Sequence, residues 1–307
     1  MILFVLNVMV ISYGLIESTA TVLYLNDFIE PVISINAADQ SDQVVHFDPI
    51  RGVWLQSVGA RLARRTYNEL EYVGLYRGNN QGFQDRDDFS PTRLGSIKKR
   101  MAILGDSFST GEYLNKNWPD YIEDTAHASG DSLRLLNMSV SGAGLANWWS
   151  IVDGIISKQQ YDLDGIIFAV YPSDLRRTFT MIDHQDRSNV FIGRLPTWDM
   201  NSRPETREEA LKYLSPVHHA YIMDTEHFNQ FIRGEWHLPP TKPIQPYTMR
   251  KILDVIRMGK RPWSNSTFYT QAARNSPLPS AILPLIKDIK QIIELIKVPV
   301  MVIHVPT

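Results

Sequence analysis

The chain has 307 residues, of which 44% are hydrophobic and 21% are charged, and its formal net charge is −2. This composition is typical of a folded globular protein, and the near-neutral charge gives no reason to expect nucleic acid as a partner. The sequence contains no cysteine, which excludes disulfides and thiolate metal sites. The length allows one large domain or two smaller ones.

Residues 1–25 are almost wholly apolar, interrupted by Glu17. As a helix this segment would be about 36 Å long, enough to cross a bilayer, so it is predicted to be a signal anchor. A cleaved signal peptide is the first alternative, because Ser18, Thr19 and Ala20 offer small residues for cleavage. A buried core helix is the second alternative. No Lys or Arg precedes Arg51, so the orientation of an anchor is weakly specified.

Residues 26–97 contain few periodic runs and many turn-forming residues. We predict an irregular N-terminal arm that leads into the main domain.

The main domain, residues 98–307, alternates short apolar runs with helical patterns. The predicted strands are "RMAILG", "SLRLLNMSV", "DGIIFAVYP" and "VPVMVIHVPT", and helical patterns separate them, such as "LANWWSIVDGIISKQQ" and "SAILPLIKDIKQIIELIK". Apolar runs without polar alternation are typical of a parallel sheet that is covered on both faces. Right-handed crossovers then predict an α/β fold with three layers, α/β/α, around a doubly wound parallel sheet. An insertion at about 176–279 is predicted to be helical in "RPETREEALKYL" and "YTMRKILDVIRMG".

Small or hydrogen-bonding residues follow each of the first three predicted strands. Gly105, Asp106 and Ser107 follow the first strand, residues 137–144 the second, and residues 171–174 the third. In open α/β sheets, sites form at the carboxyl ends of the strands. A serine at a strand-to-helix turn could act as a nucleophile, with nearby N–H groups as an oxyanion hole. Alternatively, Ser107 could only be the N-cap of the next helix.

Three stretches resemble the sequence blocks of the SGNH (GDSL-type) hydrolase family. "ILGDSFSTG" resembles the first block, "LLNMSVSGAG" the second and "IIFAVYPSDL" the third. The arm is similar to that of membrane-anchored, extracytoplasmic SGNH-like proteins, with "FDPIRGVW" and "NNQGFQD" in the places of their Asp-Pro…Gly-Trp-like and Asn…Gly-Phe-Arg elements. The resemblance implies a flavodoxin-like SGNH hydrolase fold and a location outside the cytoplasm, membrane-anchored or, if the signal is cleaved, secreted.

The resemblance also implies residue roles. Ser107 would attack an ester carbonyl, the N–H groups of Ser107 and Gly142 and the side chain of Ser173 would hold the oxyanion, and Asp106 and Asp174 would support them. Ser173 stands where the family normally has asparagine. The family's base is a histidine in a late Asp-x-x-His block, and no such block follows the fourth strand. We therefore expect a C-terminally truncated chain whose catalytic His and Asp lie on the missing part.

Other histidines are weaker candidates for the base. Asp224 and His227 have the Asp-x-x-His spacing but lie in the insertion, before the last helix and strand. Asp124 and His127 have it on a predicted helix, where a solvated face is the simpler interpretation. His304 lies in the last strand and is interpreted as a core residue. No metal or cofactor is predicted.

Three functions remain open on this sequence. The leading hypothesis is a serine esterase or O-acyltransferase that acts on a small acyl ester, such as an acylated envelope or exported polysaccharide. The second is a non-catalytic binding or assembly module of an envelope polysaccharide system. The third, a nucleotide-binding doubly wound domain, lacks a G-x-G-x-x-G or P-loop pattern after any strand.

Overall fold

The computed structural model describes residues 13–23, 34–39, 44–57, 59–66, 69–111, 114–186, 189–196, 203–217, 221–236 and 282–305. The strands are, in chain order, β1 (Ser34–Asp39), β2 (Val45–His46), β3 (Trp54–Leu55), β4 (Ala60–Thr66), β5 (Glu69–Tyr76), β6 (Lys99–Leu104), β7 (Leu133–Asn137), β8 (Gly165–Val170), β9 (Thr180–Asp186), β10 (Asn189–Arg194), β11 (Leu214–Val217), β12 (Tyr221–Met223) and β13 (Val300–His304). The helices are α1 (13–23), α2 (Ser107–Thr110), α3 (Trp118–Ala128), α4 (Leu145–Ile151), α5 (Arg207–Leu211), α6 (Thr225–Arg233) and α7 (Ile282–Ile296).

The four predicted strands of the main domain form one parallel sheet in the order β13-β8-β6-β7. The predicted α/β class with a parallel sheet is thus confirmed. From β6 the chain moves to β7 on one side and then to β8 on the other, so the strand order reverses beside β6. In open α/β sheets the crevice at such a reversal, outside the carboxyl ends of the strands, is where ligands bind.

Side chains of this sheet alternate between two apolar clusters, as expected for strands with both faces covered. One cluster lies on the side of α3 and contains Ile103, Leu135, Ile167, Ala169 and Trp118. The other lies on the side of α4 and α7 and contains Leu104, Leu136, Phe168, Trp148 and Leu285. The apolar runs in the sequence are therefore long enough to supply both faces.

Helix α3 begins where the sequence pattern predicted an interruption near Pro119. Asn117 is its N-cap, and the Asn117 side-chain oxygen accepts the N–H of Asp120 at 3.0 Å. Pro119 occupies the first turn, where its missing N–H removes no helical hydrogen bond. The proline thus marks the start of the helix, and the polar residues before it separate α3 from α2.

The arm, predicted to be irregular, contains the strands β1 to β5. β1, β4 and β5 join β12 in a second sheet of order β12-β1-β4-β5. The sequence of β4, "ARLARRT", does not predict a strand, because its arginines interrupt any alternation of apolar and polar residues. Arg61 pairs with Asp39, Arg64 pairs with Glu71, and Arg65 donates to main-chain carbonyls of α6. These tertiary partners, which local sequence does not show, stabilise the strand.

The described part of the insertion is mainly extended, which differs from the predicted helices. β9, β10 and β11 form an antiparallel sheet. "RPETREEALKYL" is helical only over Arg207–Leu211, because Leu214–Val217 continues as a strand paired with β10. "YTMRKILDVIRMG" lies outside the described residues.

Only part of the predicted anchor is described, as helix α1, and residues 1–12 and 24–25 lie outside the described ranges. Within the portion of the chain that the structure describes, no helix combines the length and apolar character needed to span a bilayer.

Candidate active site

The turn after β6 separates the roles of Asp106 and Ser107. Asp106 is the N-cap of α2, and its Oδ1 accepts the N–H of Phe108 at 3.0 Å. Ser107 is half-buried in the first helical position, and its hydroxyl has no hydrogen-bond partner among the described residues. The capping role therefore belongs to Asp106, and the Ser107 hydroxyl remains available at the carboxyl edge of the sheet.

The loop after β7 lies directly beside this turn. The N–H of Val140 donates to the Gly105 carbonyl at 3.2 Å, and the Ser141 and Thr110 hydroxyls are 3.3 Å apart. Gly142 has a φ of 71°, a left-handed conformation that glycine adopts without steric cost. The first two predicted blocks are therefore joined by hydrogen bonds at one edge of the sheet.

Two backbone donors at this edge are uncommitted. Among the described residues, neither the N–H of Ser107 nor the N–H of Gly142 donates a hydrogen bond. The Ser107 N–H lies in the first turn of α2, where helical N–H groups have no intrahelical partner, and Gly142 is half-buried in the neighbouring loop. They are the two main-chain donors that the family resemblance implies for an oxyanion hole, and that role stays a prediction.

The third predicted donor is enclosed. Ser173 precedes a short 3-10 turn, Asp174–Arg176, and is only 4% exposed. Its hydroxyl is buried and has no hydrogen-bond partner in the described part of the chain. The Ser173 side chain would therefore have to be uncovered before it could donate to a bound substrate.

Asp106 and Asp174 meet a third residue, Arg177, for which no sequence pattern predicted a role. Arg177 Nη1 lies 3.2 Å from Asp106 Oδ2, 2.7 Å from Asp174 Oδ1 and 3.3 Å from the Ala143 carbonyl oxygen. Burial, and secondarily the charge of Asp106, raise the pKa of Asp174 to about 8. The only sequence signal was a basic residue one helical turn after Asp174.

Buried polar groups fix the Gly142 loop from behind. The Asn147 side chain is completely buried and makes four hydrogen bonds: its oxygen accepts the N–H groups of Gly144 and Thr180, and its amide donates to the carbonyls of Arg51 and Thr180. The Thr180 hydroxyl donates to the Gly142 carbonyl at 2.8 Å. Asn147 therefore connects the arm and the insertion to the loop of the candidate site.

Phe108 and Tyr171 form an apolar surface next to Ser107. Their rings are stacked with centroids 5.1 Å apart, and Phe108 is 53% exposed. A stacked aromatic pair with one exposed ring offers a contact surface to the apolar part of a small ligand.

Asp224 and His227 are close to each other but lie on a different part of the fold. His227 Nδ1 is 2.7 Å from Asp224 Oδ2, and the His227 N–H donates to Asp224 Oδ1. Asp224 is the N-cap of α6, which packs against β1 and β12 of the second sheet. The Asp-x-x-His spacing at this position is therefore explained by helix capping.

We expect Asp224→Ala to lower the thermal unfolding temperature, because α6 loses its N-cap. Ester turnover in Asp224→Ala and in His227→Ala is expected to stay within about twofold of the wild type, since both residues lie at the start of α6, which packs against the second sheet. Parallel thermal unfolding and kinetic assays check both statements. A loss of turnover in folded His227→Ala would contradict this assignment and restore the pair as catalytic residues.

Among the described histidines, His304 is the one at the carboxyl edge of the parallel sheet. It is exposed at the end of β13 and pairs in register with Val170 of β8. The sequence interpretation as a core residue is therefore wrong. β13 is two strands from β6, a lateral distance of about 10 Å, and His304 makes no hydrogen bond to Ser107. The described residues also contain no group of three or more His, Cys, Asp or Glu side chains that could hold a metal ion.

Comparisons with known proteins give one kind of match. No protein-family model and no curated protein matches the chain. Among solved structures, the chain is similar to the crystal structure of TesA, with 11% identity, 64% of this chain and 99% of that chain covered, and a TM-score of 0.23. It is also similar to AlinE4, described as an SGNH-hydrolase family esterase, with 14% identity, 66% and 98% coverage and a TM-score of 0.24. TM-scores this low do not support an assignment of function, and the proposal below rests on the geometry of the chain itself.

Proposed function

We propose that the chain is a serine esterase or O-acyltransferase of the SGNH type, with Ser107 as its nucleophile. The observation that supports this proposal is the combination of a half-exposed Ser107 hydroxyl with two uncommitted N–H groups, at Ser107 and Gly142, in adjacent loops. These are a nucleophile and a pair of oxyanion donors. The proposal includes the finer fold, a three-layer, flavodoxin-like arrangement of the parallel sheet.

In the proposed reaction, Ser107 Oγ attacks the ester carbonyl carbon while a base removes the hydroxyl proton. The carbonyl oxygen becomes an oxyanion held by the N–H groups of Ser107 and Gly142. Collapse of this intermediate breaks the bond to the alcohol, which leaves with the proton, and Ser107 carries the acyl group. Water or an acceptor hydroxyl then attacks the acyl carbon while the base takes its proton, and the base gives that proton to Ser107 Oγ as the acyl–serine bond breaks.

The base in this proposal is a histidine oriented by a carboxylate, supplied from outside the described residues. The reason is that no described histidine is hydrogen-bonded to Ser107. His304→Ala tests this placement, because His304 lies at the same edge of the sheet. Turnover in His304→Ala is expected to remain within about tenfold of the wild type, and a loss comparable to that of Ser107→Ala would identify His304 as the base instead.

We propose a small acyl ester as the substrate class, with the stacked Phe108 and Tyr171 rings as the contact surface for the acyl chain. The finer proposal, an acylated carbohydrate of an envelope or exported polysaccharide, rests on the sequence resemblance alone. The same holds for a membrane-anchored location outside the cytoplasm. Comparing p-nitrophenyl acetate with p-nitrophenyl octanoate tests the size preference, and acetate should be preferred.

Covalent labelling with a fluorophosphonate tests the proposed function directly. The probe is expected to phosphonylate wild-type protein on Ser107, as read by mass spectrometry of the tryptic peptide. Ser107→Ala should remove the label, whereas Ser157→Ala, at an exposed serine, should keep it. Absence of labelling in folded wild-type protein would overturn the proposal and favour the non-catalytic binding module, which the buried Ser173 hydroxyl also favours.

A further inference from the structure

The three strand ends that carry the candidate site meet at one guanidinium group. Arg177 Nη1 contacts Asp106 after β6, the Ala143 carbonyl after β7 and Asp174 after β8. Gly144 lies so close to the Arg177 main chain that a Cβ at Gly144 would be 2.3 Å from the Arg177 carbonyl oxygen. The side chain of Arg177 is therefore held by its three hydrogen-bond partners and its main chain by the close packing of Gly144. Through these contacts Arg177 links all three loops.

The two carboxyl groups at this junction are buried against a single cation. Asp106 and Asp174 are 1% and 0% exposed, and a single atom, Arg177 Nη1, lies 3.2 Å from Asp106 Oδ2 and 2.7 Å from Asp174 Oδ1. Two buried carboxylates beside one cation do not both ionise readily, and the raised pKa of Asp174 indicates that Asp174 is the one that keeps its proton. With Asp174 neutral, the remaining negative charge is balanced by Arg177.

We propose that Arg177, Asp106 and Asp174 form a positioning cluster that holds the Ser107 turn against the Gly142 loop, and that the reaction of Ser107 requires Asp174 to be neutral. This inference rests on the proposed esterase function. None of the three residues is assigned contact with substrate. Asp106 acts through the turn that begins with Ser107, and Arg177 acts through the Ala143 carbonyl, next to Gly142.

Loss of the Asp174 proton would change the net charge of the three side chains from neutral to −1. The charged groups that act on Asp174 are Asp106 and Arg177, and the Tyr171 N–H also donates to its carboxyl group at 2.9 Å. Two ionised carboxylates on one guanidinium would repel each other and separate the β6 and β8 loops. They would also place net negative charge next to the position where the oxyanion forms, which raises the energy of the transition state.

The proton on Asp174 should also make the free energy of unfolding depend on pH. The pKa of Asp174, raised to about 8, lies above that of an unfolded aspartate, near 3.9. The folded chain therefore holds one more proton than the unfolded chain between these two pH values. The contribution of Asp174 to the free energy of unfolding is fully present below the pKa of an unfolded aspartate and is lost as the pH rises through about 8. Asp174→Asn should remove this contribution, because its amide can donate to Asp106 but cannot ionise.

The test measures kcat/KM for p-nitrophenyl acetate and the thermal unfolding temperature from pH 5 to pH 10. Wild-type kcat/KM is expected to fall on the alkaline side with a midpoint near pH 8. Asp174→Asn should move this midpoint upward by at least about one pH unit and should flatten the dependence of the unfolding temperature on pH. A role confined to folding would change the amount of active protein without moving the midpoint.

Arg177 variants provide the second test of the positioning cluster. Arg177→Met should lower kcat by about 10- to 100-fold, with a smaller change in KM, because the loops lose their common donor. Its alkaline midpoint should also rise, since the cation that favours ionisation of Asp174 is gone. Arg177→Lys should restore part of kcat, and Arg176→Met, its neighbour in the same turn, is the matched control.

The outcomes separate the two proposals. If Ser107-dependent turnover is present but Asp174→Asn and Arg177→Met leave the alkaline midpoint unchanged, the positioning cluster is wrong and the esterase stands. If the folded wild type shows no Ser107-dependent turnover, both proposals are overturned.

Discussion

Ser107→Ala is expected to lower kcat for p-nitrophenyl acetate by at least about 10⁴-fold while the chain remains folded. The size of the loss follows from covalent catalysis, because without Oγ no acyl-enzyme can form and only oxyanion stabilisation and binding remain. Folding should be little affected, because the Ser107 hydroxyl makes no hydrogen bond to a described residue and Asp106, not Ser107, caps α2. Steady-state kinetics together with denaturant unfolding measure both effects.

Ser157→Ala serves as the matched control for this substitution. Ser157 is exposed at the end of the π-helix that continues α4, so the same change in chemistry should leave kcat within about twofold of the wild type. Folded Ser107→Ala that kept more than a tenth of wild-type turnover would show that ester hydrolysis takes place elsewhere in the preparation or on the chain.

The position of Ser107 could be predicted because the necessary information is local. An apolar run that ends in Gly105 and is followed by a helical pattern predicts a strand-to-helix turn, and the carboxyl ends of parallel strands share one edge of the sheet. The same argument placed Gly142 and Asp174 near Ser107. What local sequence could not decide was whether Ser107 caps its own helix. The structure assigns that role to the residue before it.

The groups that hold this edge together could not be predicted, because their partners are distant in sequence. Arg177 contacts Asp106, 71 positions earlier in the sequence, and Asn147 contacts Arg51, 96 positions earlier. A buried asparagine whose partners are main-chain atoms carries no sequence pattern beyond its polarity. The strands of the arm could not be predicted for the same reason, since the arginines of β4 are paired with Asp39 and with main-chain carbonyls of α6. Hydrophobic periodicity therefore predicted the sheet, while tertiary hydrogen bonding determined how the site is supported.

Asn147→Ala is expected to lower the free energy of unfolding by about 3–5 kcal/mol. The substitution leaves two buried N–H groups, of Gly144 and Thr180, and two buried carbonyls, of Arg51 and Thr180, without their partner. Each unsatisfied group costs about 1–3 kcal/mol, and water entering the space left by the amide recovers part of the loss. Denaturant unfolding measures the effect when both proteins show the same dependence of unfolding free energy on denaturant concentration.

Asn115→Ala provides the control, because Asn115 is exposed and has no hydrogen-bond partner among the described residues, so its loss should change stability by less than about 0.5 kcal/mol. Asn147→Ala should also reduce kcat at temperatures where it stays folded. Asn147 holds Thr180, whose hydroxyl donates to the Gly142 carbonyl, and a looser Gly142 loop weakens the proposed oxyanion hole. A stability loss below about 1 kcal/mol would mean that these backbone groups find other partners, and that the arm and the insertion do not support the site through Asn147.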